Sequence, residues 1–172
     1  MSTTNAVRRA TPEDAEELVR LRTIMLDSLH RSDDRGWQPH AVEILRKRLA
    51  EPDGDLAVFV VDRPGDGGAG AGSPQPGGAP APALAACAAG SVEHRLPGPG
   101  NPLGHVGHIF SVATDPDLRR RGYSRACMTA LLAWYRERGV RKIDLHASEE
   151  GEPLYASMGF RRNAAPAMRL TY

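Results

Sequence analysis

The chain has 172 residues, with 20 Arg and 2 Lys against 21 acidic side chains, for a formal net charge of +1. That balance argues against a nucleic-acid or membrane-surface role, and 41% apolar with 25% charged residues suffices to bury a core without metals or disulfides. Apolar stretches stay under ten residues and residues 1–10 lack the apolar run of a signal peptide, so the reading expects one cytoplasmic domain, 1–172, that spans no membrane.

In chain order, residues 5–10 read as an opening strand. Thr11-Pro12-Glu13-Asp14 then starts a helix, with Thr as N-cap, Pro in the first turn and acids at the positive helix end. Leu18, Leu21, Met25 and Leu29 form its apolar face, and a second helix over 39–50 carries Val42, Leu45 and Leu49. Leu56–Asp62 and residues 84–92 are apolar runs of strand length. Between them, residues 64–83 hold 7 Gly, 5 Pro and 5 Ala, a composition that cannot repay its ordering entropy. It reads as a disordered insertion in a hairpin.

Residues 94–104, with 6 Gly or Pro, read as a loop, and 106–114 as a strand ended by Asp115-Pro116. A helix over 122–138 stops at Gly139, a strand follows over 141–147, and a short helix holds Pro153, Leu154 and Met158 before Gly159. Residues 160–162 and 168–172 read as final strands. Cys87 and Cys127 lie in small-apolar runs without C-x-x-C spacing and read as buried thiols, and no His pair has metal-ligand spacing on one element.

The most informative stretch runs from Val112 to Ala126, a strand, an arginine-rich connection and a helix start. Free N–H groups of a first helical turn, the helix dipole and a Gly that admits close main-chain approach together suit a phosphate-bearing ligand. Arg119-x-x-Gly122-x-Ser124 resembles the R/Q-x-x-G-x-G/A signature of the GNAT superfamily of N-acetyltransferases, and Leu154-Tyr155-Ala156-Ser157-Met158-Gly159-Phe160 resembles its L-Y-x-x-x-G-F element. Two positions depart from the pattern: Ser124 replaces Gly or Ala, and Ser148 stands where many members have Asn.

The resemblance implies an α+β fold with a mixed, mostly antiparallel sheet of six or seven strands and about four helices. It implies acetyl transfer from acetyl-coenzyme A, as co-substrate and without a metal, to a primary amine of a small acceptor. Acetylation of a protein amine and a non-catalytic acyl-coenzyme A sensor are the alternatives, and homodimerisation is left open. Arg119, Arg120, Arg121, Gly122, Tyr123, Ser124 and Arg125 would hold the pyrophosphate, with Ser148 nearby. Val112, Ala113 and Thr114, on a strand that splays from its neighbour, would offer backbone groups to the pantetheine arm and thioester.

Tyr155 would donate a proton to the leaving thiolate. A general base must take the amine's proton, because an alkyl amine with a pKa near 10 is mostly protonated at pH 7. His108 is the first candidate, since period-two alternation puts 108, 110, 112 and 114 on one face, and Glu93 is the second. A histidine packed within the sheet is the competing reading of His108. Gly122-Tyr123-Ser124-Arg125-Ala126 also approximates a serine-hydrolase elbow, but three arginines stand where an apolar strand should run into it.

Overall fold

The computed structural model describes residues 6–30, 32–65 and 83–172. The expected insertion therefore falls almost entirely outside the described residues. β1 (Val7–Arg9) leads into a 3-10 turn, Pro12–Asp14, where the Thr11 N–H donates to Asp14 Oδ2 at 2.8 Å. That carboxylate also accepts from both ends of the Arg8 guanidinium at 2.8 Å, so the start of the helix is tied to the strand before it. Burial pushes the Asp14 carboxyl up, but the Arg8 guanidinium and the Thr11 hydrogen bonds together outweigh it and hold the group below its ordinary range.

α1 (Ala15–Leu29) and α2 (Gln38–Leu49) follow, then β2 (Leu56–Asp62), β3 (Leu84–His94) and β4 (His105–Thr114). α3 (Tyr123–Glu137), β5 (Lys142–Leu145) and α4 (Glu152–Ser157) complete the described elements. The sheet has the order β1-β2-β3-β4-β5, antiparallel up to β4 and parallel between β4 and β5. Only the last connection needs a crossover, and α3 supplies it.

Alternation along the strands divides the core. Val61, Ala86, Ala88 and Val92 pack with Cys127, Met128, Leu131, Trp134 and Tyr135 of α3. Val58, Val60, Cys87 and Ala89 pack on the other face with Leu18 and Leu21 of α1 and Leu45 of α2. Both cysteines are buried free thiols, and burial raises Cys87 to about 12 and Cys127 further still.

β4 departs from simple alternation. Ala89 pairs with Ser111 and Gly90 with Ile109, leaving Phe110 as an extra residue in a bulge. Ile109 and Val112 accordingly belong to the α3 side, while Phe110 and Ala113 belong to the α1 side. The expectation that 108, 110, 112 and 114 share a face is therefore wrong: the extra residue flips the pattern between 110 and 112. His108 keeps company with Phe110, their rings stacked at 6.1 Å, and Thr114 reaches toward α3.

Tyr135 braces the strands beside this bulge. Its fully buried ring fills the space left by Gly90 and Gly107, and its hydroxyl lies 3.1 Å from the carbonyls of both Ser91 and His108. A Cβ at Gly90 would collide with that hydroxyl, and an enclosed ring has nowhere to retreat. Gly90→Ala should cost about 1–3 kcal/mol of stability, read from the urea unfolding midpoint, whereas an unchanged midpoint would show that Tyr135 is not a brace.

The two expected C-terminal strands do not form, so the described sheet has five strands and not six or seven. Phe160 ends its chain segment by donating its N–H to the Tyr155 carbonyl at 3.1 Å, and residues 161–172 are exposed throughout. Met168, Leu170 and Tyr172 alternate like a strand, but each stands in solvent with no apolar face against it. Their spacing was sound and the burial it presupposed was missing. No described helix is long and apolar enough to cross a membrane.

Candidate active site

The β4–β5 pairing ends at Ile109 opposite Leu145, just before the bulge. From Phe110 to Thr114 the β5-facing edge of β4 has no strand partner among the described residues, and a cleft of about 740 Å³ opens there. Val112, Ala113 and Thr114 line it, and so do Arg119, Arg120, Arg121, Gly122, Tyr123, Ser124 and Arg125. Ser148 and Tyr155 line it from the far side, while Ile24, Met25, Ser28 and Leu29 of α1 close one end.

The arginine-rich turn is shaped by its backbone. Arg119 is extended, whereas Arg120 at φ 64° and Gly122 at φ 82° are left-handed, and Gly122 caps α3. The first helical bond runs from the Ala126 N–H to the Gly122 carbonyl at 3.0 Å, so the N–H groups of Tyr123, Ser124 and Arg125 precede any intrahelical acceptor. Such a turn, with left-handed residues beside a helix start and guanidinium groups around it, is built to receive an anion such as a pyrophosphate.

Ser124, the departure from the expected pattern, bonds to Thr114 across 2.5 Å, hydroxyl to hydroxyl, and so ties the end of β4 to the first turn of α3. Arg125 donates to Ser157 Oγ at 2.8 Å and Arg119 stands 4.0 Å from Glu150, which joins the turn to the region of α4. Ser148 caps that region by accepting the Gly151 N–H at 3.1 Å. Beneath the turn, Asp115 is buried and takes Arg20 at 3.0 Å and Arg63 at 2.7 Å.

Tyr155 is half-buried with its ring 6.1 Å from that of Phe160, and burial raises its phenol above the ordinary tyrosine value. His108 does not form part of the cleft wall. His146, just past the end of β5, does, and the two imidazoles lie 6.1 Å apart in a T-shaped arrangement. The sequence reading gave His146 no role as a base; the available signal was the alternation of residues 143–146, which puts Asp144 and His146 opposite Ile143 and Leu145. Glu93 is also absent from the wall, and Arg95 engages its carboxylate at 2.6 Å.

Between α1 and α2, residues 34–37 close on themselves. Asp34 Oδ1 accepts the Gly36 N–H at 2.8 Å and the Asp34 carbonyl accepts the Trp37 indole at 3.2 Å. Among the described residues, no group of three or more His, Cys, Asp or Glu is placed to hold a metal ion.

The model of the Acetyltransferase (GNAT) family matches residues 23–160. The chain belongs to the GNAT acetyltransferase family. The matched residues span the cleft from its α1 wall to Phe160, so the GNAT elements are the ones that build the site.

Solved structures agree on the fold. A predicted acetyltransferase with acetyl-CoA from Clostridium acetobutylicum superposes with a TM-score of 0.76 at 22% identity, covering 96% of this chain and 95% of that one. A GCN5-related N-acetyltransferase from Ralstonia eutropha JMP134 gives 0.75 at 28% identity, covering 96% and 97%. Aminoglycoside N-acetyltransferase AAC(6')-Iy in complex with CoA gives 0.65 at 15% identity, covering 96% and 93%. No curated protein matches the sequence.

Proposed function

We propose that this acetyltransferase moves the acetyl group of acetyl-coenzyme A to a primary amine of a small acceptor by direct attack. The observation that carries the reading is the convergence, in one cleft, of an unpaired β4 edge, an anion-receiving turn and the Tyr155 phenol. The residues fit the co-substrate: the N–H groups of residues 123–125 and the surrounding arginines suit its pyrophosphate, and the strand edge from Val112 to Thr114 suits the amides of its arm. The thioester supplies an activated acetyl group.

Each side chain then has a defined task. A backbone N–H of the open β4 edge polarises the thioester carbonyl, as an oxyanion hole does. His146 at the cleft wall takes the proton of the incoming amine, with His108 behind it as its neighbouring imidazole. Tyr155 donates to the departing sulfur, and its raised pKa keeps the phenol protonated through neutral pH. The α1 wall of Ile24, Met25 and Leu29 gives the acceptor a largely apolar bed.

Thiol release from acetyl-coenzyme A, followed over a panel of small amines and an amine-bearing peptide, tests this directly. Turnover with small amines is the expected result. Turnover with the peptide alone would move the acceptor to proteins, and coenzyme binding without turnover would leave a sensor.

Coenzyme A affinity should depend more on backbone than on any one guanidinium. Gly122→Val forces a β-branched residue into the left-handed region at a cost of about 1–2 kcal/mol, a loss of roughly 5- to 30-fold, although a Cβ there meets no other atom within 4 Å. Arg120→Ala removes one screened charge and should lose less. Calorimetry in 0.15 M salt ranks the two, and the reverse order would mean that side-chain charge holds the pyrophosphate.

A further inference from the structure

Among the described residues, Asp115 is the only buried acidic or basic side chain, at 6% exposure. It stands where β4 ends, directly after the edge Val112–Thr114 and four residues before Arg119. A carboxylate so placed has lost its water and needs charged partners, which arrive from two other parts of the fold. Arg20 of α1 donates to both of its oxygens, at 3.1 and 3.0 Å, and Arg63, the residue after β2, donates to Oδ2 at 2.7 Å.

The main chain is fixed at the same place. The Asp115 N–H donates to the Ala85 carbonyl of β3 at 2.8 Å, and the Asp115 carbonyl accepts the Leu118 N–H at 2.9 Å, closing the 3-10 turn Pro116–Leu118. Arg20 also reaches the Leu84 carbonyl at 3.0 Å, and Arg63 also pairs with Asp117. Leu118 is buried in the core on the α3 side. Residues 115–118 are thus tied to α1, to the end of β2 and to the start of β3 at once.

The chain that follows does not hold its own shape. Arg119 is extended and Arg120 is left-handed at φ 64°, the one non-glycine residue with a positive φ among the described residues. A residue with a Cβ keeps that conformation only where its surroundings impose it. Downstream the span is anchored by α3, whose Cys127 and Met128 are buried. Upstream its anchors are Asp115 and Leu118. A short span held at both ends has few ways to relax, so the turn keeps the arrangement that suits an anion.

We infer that Asp115, paired with Arg20 and Arg63, is a positioning residue that holds the turn at 119–125 in its coenzyme-binding conformation. Asp115 does not line the cleft, so it acts through the turn and not on the ligand. The inference rests on the place of the pyrophosphate at that turn, proposed above, and needs no particular acceptor.

Calorimetry with coenzyme A tests this, because it reads the dissociation constant and the stoichiometry separately. Asp115→Asn keeps the shape of the side chain and removes its charge. With that anchor loosened, the intrinsic bias against a left-handed Arg120 leaves the binding conformation a minor one, and the dissociation constant should rise about 5- to 30-fold. A role confined to stability would lower the stoichiometry and leave the constant of the folded molecules unchanged. Asp14→Asn is the matched control: it also takes a carboxylate from both ends of a guanidinium, that of Arg8, and Asp14 does not line the cleft. It should lower the melting temperature and leave the constant within about 2-fold. Should Asp115→Asn fail to fold, Arg63→Gln removes one of the two cations and should raise the constant in smaller degree, and Arg63→Lys, which keeps the charge, should raise it less still. An unchanged constant in the folded variants, or an equal rise in Asp14→Asn, would overturn the inference while Gly122→Val still weakens binding. Coenzyme binding indifferent to Gly122→Val as well would overturn the place of the pyrophosphate and this inference together.

Discussion

Tyr155→Phe should lower turnover about 10- to 10³-fold while changing acetyl-coenzyme A affinity less than about 3-fold. The substitution keeps the ring, and with it the contact to Phe160 and the packing against the Gly151 backbone, so the folded cleft should survive. What it removes is the donor. Without a proton or hydrogen bond, the departing sulfur leaves as a free thiolate in a half-buried site, where charge is costly. The pH dependence carries the same signature: burial raises the Tyr155 pKa, so the protonated donor persists past the ordinary phenol value of about 10, and kcat should decline only above it. Full activity of the phenylalanine variant, measured where chemistry limits the rate, would reduce Tyr155 to a packing residue.

A comparable loss is expected from His146→Ala, about 10²- to 10⁴-fold in turnover with an alkyl amine. The wild-type rate should fall toward acid pH, because a protonated imidazole cannot accept the amine's proton, and the variant should lose that limb. His108→Ala should cost less, roughly 10-fold, since His108 stands behind the wall that His146 forms. The opposite ranking would return the base to His108. A flat profile in the wild type would point to a water or to an acceptor that arrives neutral.

How much of this was legible in the sequence depends on the distance over which each feature is determined. The start of the first helix was legible, because Thr11 and Asp14 satisfy each other's neighbouring groups within three residues. So was the arginine-rich turn, since a left-handed Gly122 and an opening helix are local matters, and all the residues expected around it line the cleft. So was the helix after it, expected over 122–138 and formed as α3, because Gly122 and Gly139 mark its two ends. The C-terminal run shows the limit of pattern. Met168, Leu170 and Tyr172 have strand spacing, yet spacing does not create an apolar surface to receive them.

The sequence by itself determined which residues form the arginine-rich turn and the short helix that carries Tyr155, because caps, glycine conformers and short motifs act over a few residues of chain. The tertiary structure decided which imidazole lines the cleft. That His108 does not share the face of Val112 and Thr114 follows from the single extra residue at Phe110, whose place is set by how β4 registers against β3 beside Tyr135. Period-two alternation carries no information about an inserted residue until the neighbouring strand is there to count against.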